Sequence, residues 1–183
     1  MEHQADLRLV RRFDSALEDD ERKQIGDLLL EAFGEFFENR IFFKQIPHER
    51  IILLRRGEVV AQCGIDYRAM RADDRIIYTL GVVDLCVRQT LRGRGLGERL
   101  LREVIEEAGS RAVDYVLLVA EDGRLYRRVG FAPLSAEMRW LAVEDLHSVT
   151  VVQETLQNEM YSLPIRAAGP LEARKIDLLG YMY

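Results

Sequence analysis

Residues 82–97, VVDLCVRQTLRGRGLG, join an apolar strand pattern to a glycine-rich loop. Residues 98–108 follow with apolar side chains at helical spacing, so the predicted order is strand, loop, helix. Glycine tolerates positive φ and has no Cβ, which lets the backbone of such a loop come close to a ligand. The first N–H groups of a helix and its dipole attract an anion, typically a phosphate. The stretch therefore predicts a phosphate-binding loop.

Two other nucleotide-binding loops do not fit this stretch. A P-loop ends in Gly-Lys-Ser/Thr, whereas this chain has Gly97-Glu98-Arg99. A dinucleotide-binding fingerprint has G-x-G-x-x-G in the first βαβ unit, but here the third glycine comes one residue too early and the loop begins only at Arg92. A plain strand-to-helix turn that binds nothing is the alternative interpretation of the loop.

Charge is distributed unevenly along the chain. The formal net charge is −5, which argues against a nucleic-acid partner. Between Arg88 and Arg102, however, the sequence has five arginines and a single acid, Glu98. This basic patch coincides with the glycine loop, as a phosphate-rich cofactor would require. The alternative is an ordinary solvated charged face.

Composition indicates one domain over residues 1–183, because 183 residues with 48% hydrophobic content can bury a sizeable core. Cys63 and Cys86 lie in apolar strand-like runs and predict no disulfide framework. The spacing of histidines and cysteines predicts no metal site. Neither a signal-peptide pattern nor an apolar run of about 20 residues is present, so we expect a cytoplasmic protein without a membrane partner.

Periodicity predicts most of the secondary structure. Before the loop, the predicted strands are residues 7–10, 51–54, 59–67 and 76–87 (with Gly81 as a bend or bulge), and the predicted helices are 19–33 and an interrupted stretch to about 43. After the loop come a helix over 98–108 that stops at Gly109, a strand over 113–120, a short helix over 123–129 and a strand over 138–143. Residues 146–160 fit a helix or a strand, and 162–165 is the predicted last strand.

Two motifs resemble the GCN5-related N-acetyltransferase (GNAT) superfamily. Arg92-x-x-Gly95-x-Gly97 matches the Arg/Gln-x-x-Gly-x-Gly/Ala loop that binds pyrophosphate in that superfamily, and LYRRVGF at residues 125–131 is similar to its Phe-Tyr-x-x-Leu-Gly-Phe segment. The element order resembles the superfamily from end to end. More narrowly, residues 59–64, 84–87 and 176–180 are similar to acyltransferases related to nodulation protein A.

The resemblance implies an α/β (α+β) acyl-CoA N-acyltransferase fold, with a mixed, mostly antiparallel sheet of about six to seven strands and flanking helices. Residues 1–87 would then form the N-terminal strand, helices and antiparallel meander. Residues 88–143 would form the CoA-binding βαβ core, and residues 144–183 an acceptor-side or dimer segment. The apolar tail at 176–183 packs on its own domain or on a partner, such as a second copy in a homodimer.

The resemblance also implies where acetyl-CoA or another acyl-CoA binds. Pantetheine would be held by backbone groups of Leu85, Cys86 and Val87. The pyrophosphate would be held by N–H groups of Arg92, Gly93, Arg94, Gly95, Leu96 and Gly97. Cys86 also invites an acyl-cysteine mechanism, but no histidine lies near it in the sequence, and a buried cysteine is ordinarily a small hydrophobe.

Two residues are predicted to be catalytic. Tyr126 matches the superfamily tyrosine that serves as general acid to the leaving thiolate, and its alternative role is packing on a short helix. Asp84 stands alone in an apolar strand, where desolvation would raise the pKa of its carboxyl into the range of a general base. Many superfamily members carry their acid at the positions of Val83 or Gly81, so Asp84 would face the other way unless a bulge shifts the strand. A carboxylate paired with an arginine is the structural alternative.

These observations predict an N-acetyltransferase that transfers acetyl from acetyl-CoA to a primary amine by direct attack in a ternary complex. The acceptor would be a small molecule or a peptide, and five phenylalanines between residues 33 and 43 form an aromatic wall for it, ordinary core, or a dimer contact. A non-catalytic acyl-CoA-binding sensor or partner-binding module is the alternative from another class, and it would need neither Tyr126 nor a base. A nucleic-acid-binding regulator is the third interpretation, against which the net acidity argues.

Overall fold

The computed structural model describes residues 6–38, 40–167 and 169–183. The described residues form eight strands: β1 (Leu7–Phe13), β2 (Glu49–Arg55), β3 (Glu58–Ala72), β4 (Arg75–Val87), β5 (Tyr115–Val119), β6 (Ala132–Glu144), β7 (His147–Pro164) and β8 (Lys175–Tyr181). The helices are α1 (Asp19–Phe33), α2 (Leu96–Ser110) and α3 (Arg124–Arg128), and 3-10 turns cover Asp14–Ala16, Gly34–Phe37 and Gln89–Leu91. The mixed α+β fold with a mostly antiparallel sheet is the predicted one.

The chain forms two compact units, and β3, β4 and α2 contribute to both. Unit 1 comprises Met1–Asp66 and Val83–Val104, and unit 2 comprises Tyr67–Val82 and Ile105–Tyr183. In unit 1, β1 pairs antiparallel with β2, and β2 with β3. Helix α1 buries Ile25, Leu28 and Leu29 in the core of this unit. A reciprocal capping box between Glu18 and Glu21 starts α1, because both side chains bond backbone N–H groups of the first turn.

Unit 2 contains two parallel strand pairs, β4 with β5 and β6 with β8. Its part of β4 pairs in parallel with β5, from Thr79 opposite Tyr115 to Gly81 opposite Leu117. The connection between these strands runs through α2, as predicted for a βαβ crossover. Strand β5 pairs antiparallel with β7, β7 with β6, and β8 runs parallel to β6. The β6–β7 hairpin turns at Asp145 and Leu146, which both have positive φ.

Several element predictions need correction. In the predicted helical stretch to residue 43, the described residues 34–38 and 40–43 contain the 3-10 turn Gly34–Phe37 and no α-helix. Helix α2 continues past Gly109 to Ser110. Residues 147–160 are strand and Leu146 lies in the turn before them, whereas 162–165 form the end of β7 and its exit, so they are not the last strand. The last strand is β8, which raises the number of strands to eight.

The C-terminal tail packs on its own domain. Ile176, Leu178 and Met182 are buried in the core of unit 2, which accounts for the apolar sequence of the tail. The predicted homodimer has no support from this tail and stays a prediction. Within the described part of the chain, no helix is both long enough and apolar enough to cross a membrane.

Gly81 leaves space for the aromatic ring of Tyr183 and does not form the predicted bend or bulge. It pairs regularly with Leu117, and a Cβ built on it would lie 2.0 Å from Cε1 of Tyr183. The Tyr183 hydroxyl lies 3.3 Å from Oγ1 of Thr79, and the Arg68 guanidinium carbon is 4.6 Å from the Tyr183 ring centroid. Glycine is therefore required here because an aromatic side chain occupies the space of its missing Cβ.

We expect Gly81→Ala to destabilise the protein by about 1–3 kcal/mol, because the added methyl must displace the Tyr183 ring. Thermal unfolding would measure the change, with Gly109→Ala as the control. A Cβ on Gly109 meets nothing within 4 Å, so alanine there should stabilise α2 slightly. A second Tyr183→Ala substitution should recover part of the loss at Gly81. A Gly81→Ala protein as stable as the wild type would contradict this packing.

Candidate functional site

The glycine loop has the conformation that its sequence predicts. Gly93 and Gly95 have φ of +74° and +79°, a region that side chains with a Cβ rarely adopt. A Cβ at either position would meet nothing within 4 Å, so the space in front of the loop is open. Helix α2 begins at Leu96, and the first hydrogen bond into it runs from the Arg99 N–H to the Gly95 carbonyl at 3.0 Å. The N–H groups of the first turn have no helical acceptor and are free for an anion.

The five arginines around this loop are not equivalent. Arg88 pairs with Glu31 at 3.1 Å, and Arg102 pairs with Glu98 at 2.7 Å across one helical turn. Among the described residues, Arg92, Arg94 and Arg99 make no ion pair, so their charge is not neutralised by a neighbouring carboxylate. Three cations at the loop are therefore left without a carboxylate partner among the described residues, and the other two form ion pairs with neighbouring acids.

The residue that follows β4 is hydrogen-bonded to β3. The Val60 carbonyl of β3 accepts a hydrogen bond from the Arg88 N–H at 2.9 Å. The Cys86 side chain is buried in the core of unit 1, whereas Leu85 and Val87 are half-buried. The Arg92 Nε donates to the Val87 carbonyl at 3.1 Å, which ties the glycine loop to the strand. Leu85, Cys86 and Val87 thus form the strand segment that leads directly into the loop.

Asp84 interrupts the regular pleat of β4. Its φ is +53°, a left-handed conformation that is uncommon for a residue with a Cβ. Such a residue in a strand is typical of a β-bulge, which re-aims the side chains around it. The interruption therefore lies at Asp84 and not at Gly81. A bulge at Asp84 would supply the change of strand phase that a catalytic orientation of its side chain requires.

The environment of Asp84 favours its neutral form. Burial raises the pKa of its carboxyl to about 6, and the charge of Arg50 opposes that rise. Among the described residues, no arginine forms an ion pair with this carboxylate, so the predicted structural alternative of a paired Asp84 is not found. A carboxyl with a pKa of about 6 is partly ionised near neutral pH and can accept a proton.

A buried polar network, which the sequence did not predict, is hydrogen-bonded to the backbone carbonyl of Asp84. The Arg50 side chain is fully buried, and its Nε donates to Oδ1 of Asp14 at 2.6 Å. Its Nη1 donates to Oε1 of Gln62 at 3.0 Å, and Gln62 Nε2 donates in turn to the Asp84 carbonyl at 2.6 Å. One signal was present in the sequence, since Arg50 and Gln62 each stand next to apolar strand residues. Their partners could not be read from it.

The two cysteines are not nucleophiles in this structure. Burial raises the pKa of the Cys86 thiol to about 12, and that of the Cys63 thiol to about 12. Both are free and buried, and no ionised thiolate forms near neutral pH. The acyl-cysteine alternative therefore lacks its nucleophile. Cys86 instead accepts a weak hydrogen bond from Gln62, with 3.5 Å between nitrogen and sulfur.

Tyr126 lies in α3 of unit 2 and is half-buried. Its ring packs against Tyr161 and Phe131, with centroid distances of 5.9 and 6.2 Å. A Cβ on Gly123 would lie 2.1 Å from the Tyr161 hydroxyl, so this glycine makes room for the ring that supports Tyr126. The Tyr126 ring is thus held by packing, which suits a side chain that must present its hydroxyl in one direction.

Four other polar side chains form local pairs, and a fifth is exposed. Arg124 donates hydrogen bonds to Asp122, and these lower the pKa of the Asp122 carboxyl to about 2. The Glu121 side chain is exposed. His48 contacts Asp66, with 2.7 Å between Nδ1 and Oδ1. Within the described ranges, no group of three or more metal-ligating side chains is found.

The phenylalanines of residues 33–43 are only partly core. Phe37 is buried, and its ring centroid lies 5.3 Å from that of Phe33 and 6.1 Å from that of Phe43. Phe36 is 59% exposed and contacts Phe43 edge to face. The cluster therefore has one buried member and an exposed aromatic rim.

Comparison with known proteins identifies the family. The model of the acetyltransferase (GNAT) domain matches residues 15–134, which include β4, the glycine loop, α2 and α3. The chain belongs to the GNAT family of acetyltransferases. The predicted superfamily is confirmed, whereas the narrower resemblance to nodulation protein A stays a prediction. No curated protein sequence matches this GNAT chain significantly.

Solved structures share the fold at low sequence identity. Escherichia coli YhbS, a GNAT family N-acetyltransferase in complex with CoA, is 16% identical, with a TM-score of 0.59 over 94% of this chain and 90% of that one. Arabidopsis thaliana NAA60 in complex with a bisubstrate analogue is 15% identical, with a TM-score of 0.58 over 88% and 100%.

Some structural relatives are much longer than this GNAT domain. A GCN5-related N-acetyltransferase from Kribbella flavida is 22% identical, with a TM-score of 0.56 over 70% of this chain. The chain spans about a third of the length of that protein, 33%, and 32% of one from Anabaena variabilis. At these identities the likeness concerns the fold, and the activities of those longer proteins do not transfer with it.

Proposed function

We propose that this protein is an acyl-CoA-dependent N-acetyltransferase that moves acetyl from acetyl-CoA to a primary amine. The observation that carries the proposal is the open glycine loop in a GNAT domain. Gly93 and Gly95 adopt positive φ, unpaired arginines flank them, and the free N–H groups of α2 follow. This combination suits the pyrophosphate of CoA, since a helix N-terminus and arginines both bind phosphate oxygens. The CoA complex of Escherichia coli YhbS, which shares the fold, supports the choice of cofactor.

In the proposed complex, the chain holds acetyl-CoA at two places. Backbone N–H groups from Arg92 to Gly97 bind the pyrophosphate. The backbone of Leu85, Cys86 and Val87 binds the amides of pantetheine, because a strand edge offers N–H and C=O groups that need partners. An N–H of Leu85 or Cys86 donates to the thioester carbonyl oxygen and stabilises the oxyanion as it forms.

The proposed reaction is a direct transfer. Asp84 accepts a proton from the substrate ammonium, and the free amine attacks the thioester carbonyl carbon. A C–N bond forms, and the C–S bond breaks as the tetrahedral intermediate collapses. Tyr126 donates its phenolic proton to the departing thiolate, and its phenolate takes up the second proton that the attacking nitrogen loses. Asp84 then releases its proton to solvent, so the products are an amide, CoA and one proton. The acceptor is a small-molecule or peptide amine, and the bisubstrate complex of Arabidopsis thaliana NAA60 supports a ternary complex on this fold.

Calorimetric titration with acetyl-CoA, CoA and ATP tests the proposal. Binding of both CoA species but not of ATP is the expected result, and a panel of amines assayed by release of free thiol should then show turnover. Binding of acetyl-CoA without turnover of small amines, peptide N-termini or lysine side chains would favour the non-catalytic acyl-CoA-binding module. Failure to bind any CoA species would reduce the glycine loop to a plain turn.

We expect Asp84→Asn to remove the acidic limb of the pH–rate profile. If Asp84 is the base, kcat/KM of the wild type rises with pH through about 6, where its carboxyl ionises. The asparagine variant should lose on the order of 100-fold in kcat/KM at pH 8 and show no inflection near that pH. A profile unchanged by the substitution would assign the base to another group.

The same variant should be more stable than the wild type at high pH. The folded-state pKa of Asp84 lies above its unfolded value, so the folded protein binds more protons between pH 4 and 6 and loses stability as pH rises. Asparagine cannot ionise and avoids this cost, which is about 3 kcal/mol above pH 7. Urea unfolding at pH 4 and pH 8 measures it. Equal stabilities at pH 8 would show that the carboxyl is not desolvated.

A further inference from the structure

Gln62 has a fully buried side chain whose amide oxygen faces a hydrogen-bond donor and whose amide nitrogen faces an acceptor. Its Oε1 accepts from the Arg50 guanidinium at 3.0 Å, and its Nε2 donates to the Asp84 carbonyl at 2.6 Å. A guanidinium only donates hydrogen bonds and a carbonyl only accepts them. The two neighbours therefore fix the orientation of the amide, and only glutamine or a side chain of the same polarity satisfies both.

The donor end of Gln62 lies at the bulge of β4. Asp84 has a φ of +53°, which departs from the backbone of a regular strand. The Gln62 amide gives its part-buried carbonyl a hydrogen-bond partner at 2.6 Å. The same nitrogen contacts Cys86 Sγ at 3.5 Å, two residues further along β4. One amide group thus contacts both ends of the tripeptide 84–86.

Gln62 is held in turn by Arg50, which is itself fixed by several buried hydrogen bonds. Arg50 has no exposed surface, and it also donates to Asp14 Oδ1 at 2.6 Å and to the Ile41 carbonyl. Asp14 is 3% exposed, and Arg22 Nη2 donates to its carbonyl at 3.1 Å. Since every member is buried or bonded, the amide cannot rotate without breaking a charge-assisted hydrogen bond.

We propose that Gln62, held by Arg50, is a positioning residue for the reaction, and that it fixes the bulge at Asp84 and the peptides of Leu85 and Cys86. This inference rests on the proposed function, in which Asp84 is the base and an N–H of Leu85 or Cys86 polarises the thioester. Gln62 touches neither substrate nor cofactor in this scheme. It acts through the backbone that carries both groups.

Two substitutions separate positioning from general stability. Gln62→Glu keeps the shape and the acceptor for Arg50 but places a carboxylate oxygen against the Asp84 carbonyl. Gln62→Met removes the donor without adding charge. Gln24→Glu is the matched control in the same unit, because it also replaces an amide donor that faces an acceptor, the exposed Asp20 Oδ2 at 2.8 Å. Its remaining oxygen can still accept from the Val59 N–H, as Gln24 Oε1 does at 2.7 Å.

We expect both Gln62 variants to lose about 10-fold to 100-fold in kcat, with a smaller change in the KM for acetyl-CoA, because misplacing a reacting group affects turnover most. In Gln62→Glu the inflection of the pH–rate profile should also move above the wild-type value of about 6, since a new negative charge near Asp84 disfavours its ionisation. Three other titratable groups interact with Asp84, namely Arg50 of β2, Cys63 of β3 and Cys86 of β4. Both thiols stay neutral in this range. In Gln62→Met the inflection should stay in place.

Hydrogen exchange supplies a readout that does not depend on activity. Amides of residues 84–88 should exchange faster in Gln62→Met than in the wild type, and Gln24→Glu should leave them unchanged. Gln62 variants with the kcat and exchange of the Gln24→Glu control would overturn the inference. A wild-type protein that acetylates no amine would overturn the proposed function instead, and the exchange of residues 84–88 would still decide whether Gln62 fixes this segment.

Discussion

Replacing Gly95 by valine is expected to abolish acetyl-CoA binding while the protein stays folded. Gly95 has φ of +79°, where a residue with a Cβ is strained by about 1–2 kcal/mol and a β-branched one more. A valine must either shift the loop or project its methyls into the open space before the α2 N–H groups. Both outcomes keep the pyrophosphate from these donors, and we expect a loss of at least about 100-fold in affinity, close to 3 kcal/mol.

Calorimetric titration with acetyl-CoA measures this effect, and Gly109→Val is its control. Gly109 lies near the C-terminal end of α2, the helix that follows the loop, with open space around it and without positive φ, so the Gly109→Val protein should bind acetyl-CoA like the wild type. Circular dichroism and thermal unfolding would show that both variants are folded. A Gly95→Val protein with normal affinity would remove the loop from the cofactor site and leave only its role as a strand-to-helix turn.

Tyr126→Phe is expected to lower kcat by about 100-fold or more and to leave acetyl-CoA affinity unchanged. The substitution removes the proton that the proposed mechanism gives to the thiolate, a contribution typical of general acids. The ring keeps its contacts with Tyr161 and Phe131, because phenylalanine has the same shape. Structure and cofactor binding should therefore survive, and the effect should appear in turnover alone.

Steady-state kinetics with a fixed amine, read by release of free thiol, would measure the loss. Tyr78→Phe is the matched control, since the Tyr78 side chain is 48% exposed and removing its hydroxyl should leave kcat unchanged. Equal turnover of Tyr126→Phe and the wild type would reduce Tyr126 to a packing residue of α3. An equal loss in both tyrosine variants would point to a general effect of hydroxyl removal and not to an acid.

The elements that the sequence predicted well are those whose information is local. Helix α1 was predicted with its observed bounds, because apolar residues at helical spacing and Gly34 just after its end act within a few turns. The glycine loop was predicted for the same reason, since positive φ at Gly93 and Gly95 is a property of glycine itself. The sequence predicts the secondary structure after Glu144 poorly, because β6, β7 and β8 are stabilised by one another. An exposed strand in a long hairpin has little periodicity of its own.

The candidate site was predictable only in part. The chain order placed Leu85, Cys86 and Val87 before the loop, and the lone acid in an apolar strand indicated an unusual pKa for Asp84. The sequence left a bulge in β4 as one possibility, because aspartate adopts positive φ more readily than most residues, but only the folded structure decided the φ of +53° at Asp84. The partners of Gln62 depend on which strands become neighbours, and pairing is not encoded within either strand.

By itself, then, the sequence determined the local features of this GNAT domain: the elements with strong periodicity, the turn chemistry of the loop and the residue types available for catalysis. Tertiary structure alone decided that the Arg50 and Gln62 side chains would meet Asp14 and the Asp84 carbonyl, and that the Tyr183 ring would occupy the space over Gly81. The physical reason is the separation along the chain over which each kind of interaction acts. Backbone preferences and periodicity act over a few residues, whereas the desolvation and hydrogen bonding of buried polar groups are set by residues such as Asp14 and Arg50, which are 36 positions apart and are brought together only by the folded core.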